Sequence, residues 1–140
     1  MRKIAILASA LGIFAGLCGA SHGPGEILQG NVVPSELMIQ AWPSLTALGG
    51  EPAMTIIPSY LITGALTIIF GVLLAVWAGK FIQHKSGGLI LILLSIIMLL
   101  VGGGLVPPLF GIAAGVIAVL LNYQTTRMEV LVHGKIRNPF

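Results

Sequence analysis

His22 and Glu26 are the pair in this 140-residue chain whose types and spacing could together do chemistry. Four positions apart, they would share a face if they stood on one helix. An imidazole beside a carboxyl can pass protons or help to hold a cation. Glu36 and Glu51 follow in the same stretch. His22, Glu26, Glu36 and Glu51 therefore form the candidate set for a cation or proton site. The competing reading is a solvated loop with a local His–Glu contact. The run His22-Gly-Pro-Gly-Glu26 favours a turn over a continuing helix, and a turn could also bring the pair together. One histidine with scattered glutamates lacks the spacing of a zinc motif, so no metal site is assigned.

Other chemistries are excluded by what the chain lacks. It has no aspartate, so neither a Ser-His-Asp triad nor a Walker-B acid can be built. There is no glycine-rich phosphate loop with its lysine, no G-x-S-x-G and no H-E-x-x-H. Cys18 is the one cysteine, which rules out an intrachain disulfide. No catalytic residue and no cofactor are called for. A membrane-embedded enzyme would rest on His22 and Glu26 alone.

The elements that must position these residues are set by composition. The chain is 56% hydrophobic and 8% charged, with a mean hydropathy of +1.04. Soluble domains carry about 25% charged residues, and a soluble chain this apolar would expose patches far larger than water tolerates. The solvent is therefore a bilayer. Four apolar segments, about 4–20, 56–79, 88–105 and 107–123, lack Asp, Glu, Lys, Arg and His in their interiors. Crossing hydrocarbon as a helix takes roughly 17 to 25 residues, and lipid forbids unpaired backbone. The expected fold is an all-α membrane protein, a single four-transmembrane-helix bundle.

All seven basic residues flank alternate segments: Arg2 and Lys3, then Lys80 and Lys85, then Arg127, Lys135 and Arg137. The positive-inside rule makes that side cytoplasmic. Both termini are then inside, residues 21–55 form an extracytoplasmic loop between helices 1 and 2, and 124–140 is a cytoplasmic tail. Scattered in ones and twos, these charges do not form a nucleic-acid stripe. The first segment also has the layout of a cleavable signal peptide ending at Ala20. Against this, Ala8, Gly12, Gly16 and Ala20 recur every fourth residue, a pattern suited to close helix packing. Gly71, Ala75 and Gly79 repeat it, as do Gly111 and Gly115, while Gly88, Ser95 and Gly102 recur at seven. Such stripes serve either packing within one chain or a dimer face.

Finer features follow. Gly102-Gly103-Gly104 and Pro107-Pro108 predict a tight hairpin between the last two helices. Ser35 could cap a short interfacial helix reaching Trp42. Thr63 and Thr67 lie one turn apart on the second span. With no charge expected inside the membrane, a proton-coupled pump is disfavoured. The tail fits either a helix begun by Thr126 and Glu129 or a strand over 129–132.

Three stretches, His22-Gly-Pro-Gly-Glu-Ile-Leu-Gln-Gly-Asn31, Gly50-Glu-Pro-Ala-Met-Thr-Ile-Ile-Pro58 and Gly87-Gly-Leu-Ile-Leu-Ile-Leu-Leu-Ser95 leading to Val101-Gly-Gly-Gly-Leu-Val-Pro-Pro108, resemble a group of small, uncharacterised prokaryotic four-span membrane proteins. The resemblance covers roughly 15–115. It implies four spans and draws attention to the outer loop, but it brings no activity. The functional expectation is a non-enzymatic accessory or assembly component of the plasma membrane. Its partners would be the lipid bilayer and either further copies of itself or a larger membrane complex. The alternative is a small transporter or channel using the outer glutamates and His22.

Overall fold

In the computed structural model, which describes residues 2–43 and 52–137, the protein is mostly helical. Helix α1 is Arg2–Ala20 and α2 is His22–Ile27. Two short strands follow, β1 Met38–Gln40 and β2 Pro52–Met54. The chain then forms α3 Tyr60–Lys80, α4 Gly87–Leu100 and α5 Val106–Arg137. Three stretches are long and apolar enough to cross a membrane: Arg2–Ile27, Tyr60–Lys80 and Val106–Met128. Helix α4 is apolar but has only 14 residues, which at the α-helical rise is about 21 Å.

Helix α1 packs against α3 and α5, and α4 packs against α5 and α3. Small residues let the backbones approach. A Cβ on Gly16 would lie 2.5 Å from the Gly71 carbonyl oxygen and 2.6 Å from the Ala75 nitrogen, and one on Gly12 would lie 2.5 Å from Ala78 Cβ. In the α4–α5 seam, a Cβ on Gly115 would meet the Gly88 carbonyl oxygen at 2.7 Å, and Gly111 sits on the Ser95 hydroxyl. Gly12, Gly16, Gly71, Ala75, Gly111 and Gly115 thus lie in seams within one chain. Around them Ala15, Leu74, Leu91, Met98 and Ala114 form a fully buried apolar core.

The helix ends differ from the predicted bounds for local reasons. Pro58 disfavours a helical Ile57, and α3 begins after Ser59, whose extended backbone (φ −163°, ψ 122°) and side-chain oxygen cap it, accepting from Ile62 N at 3.4 Å. Helix α4 stops at Leu100, because Gly102 (φ 110°) and Gly104 (φ 79°) turn the chain in the left-handed region. Of the two readings of the tail, helix and strand, the structure shows helix, with α5 continuing unbroken to Arg137; no proline intervenes before Pro139.

The predicted helix from Ser35 to Trp42 does not form. Met38–Gln40 pairs antiparallel with Pro52–Met54 in the register Met38↔Met54, Ile39↔Ala53 and Gln40↔Pro52. Burial alternates along it, with Met38 and Gln40 exposed and Ile39 and Ala41 buried. That is the period of a strand. Ile39, Ala41 and Ala53 make a second small core with Trp42 and Tyr60. This ribbon also bonds the helical body: Thr55 N donates to the Leu37 carbonyl at 2.9 Å and Ile56 N to the Leu100 carbonyl at 3.0 Å.

Candidate functional site

The Gly-Pro-Gly run does not turn the chain away. Helix α1 passes through Ser21, which keeps a helical backbone (φ −66°, ψ −16°), straight into α2. Pro24 is accommodated within this continued helix. The two glycines serve close approach on two sides. A Cβ on Gly23 would lie 2.5 Å from the Gly64 carbonyl oxygen of α3, and one on Gly25 would strike the Ala41 carbonyl and the Trp42 ring. The Trp42 indole N–H donates to the Ser21 carbonyl at 3.0 Å. Clamped between α3 and the ribbon, α2 turns its third face, carrying His22 and Glu26, to the Val101–Gly104 turn.

Glu26 is fully buried. Its Oε2 accepts from the Thr67 hydroxyl at 3.2 Å, but the same hydroxyl donates to the Val101 carbonyl at 2.7 Å. One hydroxyl hydrogen cannot serve both fully, and the shorter bond takes most of it. Oε1 is buried with no hydrogen-bond partner. The described basic residues, Arg2, Lys3, Lys80, Lys85 and Arg127, lie toward the opposite ends of the same helices. The carboxyl is therefore short of donors on both oxygens, a costly arrangement in a low-dielectric setting.

Threonines and glycines enclose it. Thr55 and Thr63 share a buried hydroxyl–hydroxyl bond of 2.9 Å. A Cβ on Gly102 would meet Thr63 Cγ2 at 2.5 Å and the Glu26 oxygens at 2.6 and 2.8 Å. His22, also buried, places Nδ1 3.0 Å from the Cys18 carbonyl. Facing a carbonyl, that nitrogen carries the hydrogen. Nε2 lies under the turn, 2.7 Å from where a Cβ on Gly104 would stand. A cleft of about 290 Å³, lined by Phe14, Cys18, His22, Leu105 and Phe110 among others, opens beside the ring. Leu74, Leu91 and Met98 are fully buried in the apolar core.

His22 and Glu26 thus come together on one helical face. Glu36 does not join them: it is exposed and lines a separate surface cleft with Val33 and Ile57. Glu51 lies outside the described residues. The continued helix carries Glu26 into the apolar stretch Arg2–Ile27, which is long enough to cross a membrane. Sequence reasoning gave Thr55 and Val101 no role and read Gly102 and Gly104 as turn residues, not as neighbours of Glu26 and His22. The spacing of Thr63 and Thr67 pointed to one face of α3, and nothing nearby in sequence pointed to their partners. Among the described residues no group of three His, Cys, Asp or Glu could hold a metal ion.

Two substitutions test this geometry. Gly102→Ala is expected to cost at least about 1–2 kcal/mol from its left-handed backbone alone, and more from contact with Glu26, read by denaturation in micelles. Thr67→Val keeps the shape but removes the hydroxyl, leaving the Val101 carbonyl and Glu26 Oε2 without their donor. It is expected to destabilise by about 1–3 kcal/mol, whereas Thr125→Val, at an exposed site near the far end of the bundle, should change little in the same assay.

Compared with known protein families, curated proteins and solved structures, the chain matches none.

Proposed function

We propose that this is a non-enzymatic plasma-membrane protein of four crossings, with both termini inside, that binds a small cation or a proton at Glu26 from the outer side. The observation that carries this reading is the fully buried Glu26 carboxyl with an unpartnered oxygen. An ionisable group within a membrane segment is expensive to keep and marks a functional site by default. The confinement of every basic residue to alternate connections supports the topology. The fully buried apolar core of Leu74, Leu91 and Met98 supports a site that binds without conducting. An accessory role is further supported by α5, 32 residues and about 48 Å long, which presents exposed Met128 and Val130 beyond the packed helices. These apolar side chains suit contact with another membrane component.

The transporter reading is favoured by a second cavity of about 330 Å³ at the Arg2 end, lined by Ala8, Ile82, Ala118 and Asn122 among others. Flux through the purified chain in liposomes separates the two. Proton and alkali-cation flux at the level of empty liposomes is expected. Flux above that level which Glu26→Gln abolishes would make the protein a transporter instead.

A further inference from the structure

We propose that the helix ends opposite Glu26 hold one anionic phospholipid, with its phosphate between Arg2 and Lys80 and one acyl chain in the groove between α1 and α3. The proposal needs α1 and α3 to cross a bilayer and is independent of the Glu26 site. The groove has a volume of about 520 Å³ and runs from Lys80 and Gln83 down to Ala10 and Ile13. That volume lies within the roughly 300–1,000 Å³ of small-molecule sites. Small side chains open it. A Cβ on Gly79 would meet only Ile13, at 3.6 Å, and Ala5 and Ala10 line the α1 wall. Ser9 donates its hydroxyl hydrogen to the Ala78 carbonyl at 2.8 Å, so it offers the groove no donor.

The direction of the groove points to a lipid and not to a free solute. From Ala5 to Ile13 it follows α1 for about 12 Å, most of the half-thickness of a hydrocarbon layer about 30 Å deep. An occupant lying along it is apolar below and ends in a polar group where Lys80 and Gln83 stand. The cleft of about 330 Å³ at the Arg2 end shares Ala5, Ile82 and Gln83 with the groove and brings Arg2 to the same rim. Two cations thus border one opening. Arg2 offers a fork of donors to phosphate oxygens, and Lys80 a charge on an apolar stem that lies along the groove. Both are exposed. No described carboxylate side chain competes for them, since Glu26 and Glu36 lie toward the other ends of the helices. A phosphodiester whose headgroup carries no cation of its own matches this charge, whereas a choline headgroup would add a third cation to the rim.

The test is native mass spectrometry of the full chain from mild-detergent micelles holding equal amounts of phosphatidylglycerol and phosphatidylcholine with the same acyl chains. One phosphatidylglycerol is expected to be retained in preference to phosphatidylcholine. Lys80→Gln and Arg2→Gln are each expected to lower that retention about five-fold, the loss of one basic contact with an anionic headgroup. Lys85→Gln removes the same charge from the connection between α3 and α4, at a residue that lines neither cleft, and should leave retention unchanged. Gly79→Leu and Ala10→Leu fill the groove and should weaken binding of both lipids. Ala10 is exposed on α1, so its variant decides the matter if Gly79→Leu fails to fold. Equal retention of the two lipids would overturn the proposal. So would an equal loss in Lys85→Gln, which would mean diffuse attraction to the basic end. Unchanged retention in Ala10→Leu would overturn the groove as the seat of the chain. Recovery of a lipid-free dimer would assign the groove to a second copy and overturn it as well.

Discussion

Gly16→Leu is expected to be the most damaging single substitution, lowering stability by about 3 kcal/mol or more, the upper end for an overpacked interior. The clash begins at Cβ, before the rest of the leucine is placed. The atoms it meets are the Gly71 carbonyl oxygen at 2.5 Å and the Ala75 nitrogen at 2.6 Å. Both are helix backbone, so no rotamer change relieves the contact and α1 must part from α3. Against a total stability of about 5–15 kcal/mol, that loss is a large fraction. Gly79 supplies the contrast. It belongs to the same four-residue stripe on α3, yet a Cβ there would meet only Ile13, at 3.6 Å. Gly79→Ala is expected to stabilise by about 0.5–1 kcal/mol through helix propensity. Denaturation of both variants in one micelle system checks the pair, and equal effects would sink the account of the seam.

Glu26→Met is expected to raise stability by about 1–3 kcal/mol. A buried ionisable group replaced by an apolar one of similar size often gives a neutral or more stable protein. The circumstances here favour the second outcome. Oε1 has no donor to lose, and the Thr67 hydroxyl keeps its shorter bond to the Val101 carbonyl. Methionine is unbranched and fits irregular space. Chemical denaturation at neutral pH reads the change. A loss of more than about 1 kcal/mol would mean that the carboxyl holds the turn in place, and that it belongs to the scaffold.

The sequence made the helices legible because a bilayer leaves few alternatives: long apolar runs without charge must be helical. The glycine stripes were legible as contact surfaces, since spacing by four defines one helix face whatever the partner. Which partner they meet was not, and the Gly16–Gly71 contact joins positions 55 residues apart. The continuation of α1 into α2 was misread for a specific reason. Glycine permits both a turn and a close backbone approach, and the letters Gly-Pro-Gly do not say which is in use. The ribbon was missed because three-residue strands carry too little periodicity to compete with a helical pattern. His22 and Glu26 were recognisable as a pair. Their enclosure was not, because Thr67 lies 41 positions from Glu26, and the carbonyl it bonds lies a further 34 positions along the chain.

The brevity of α4 has an effect on the surroundings of the protein. Under the proposed four-crossing arrangement its 14 residues cover about 21 Å of a hydrocarbon layer about 30 Å thick. The exposed face of α4, which includes Leu89, Leu93 and Ile96, asks neighbouring lipids to shorten, and each ångström of mismatch carries a fraction of a kcal/mol. The bilayer therefore dimples at this helix, drawing headgroups and water down toward the level of the glycine turn. That deformation favours residence among short-tailed lipids and attracts other proteins that thin the membrane in the same way.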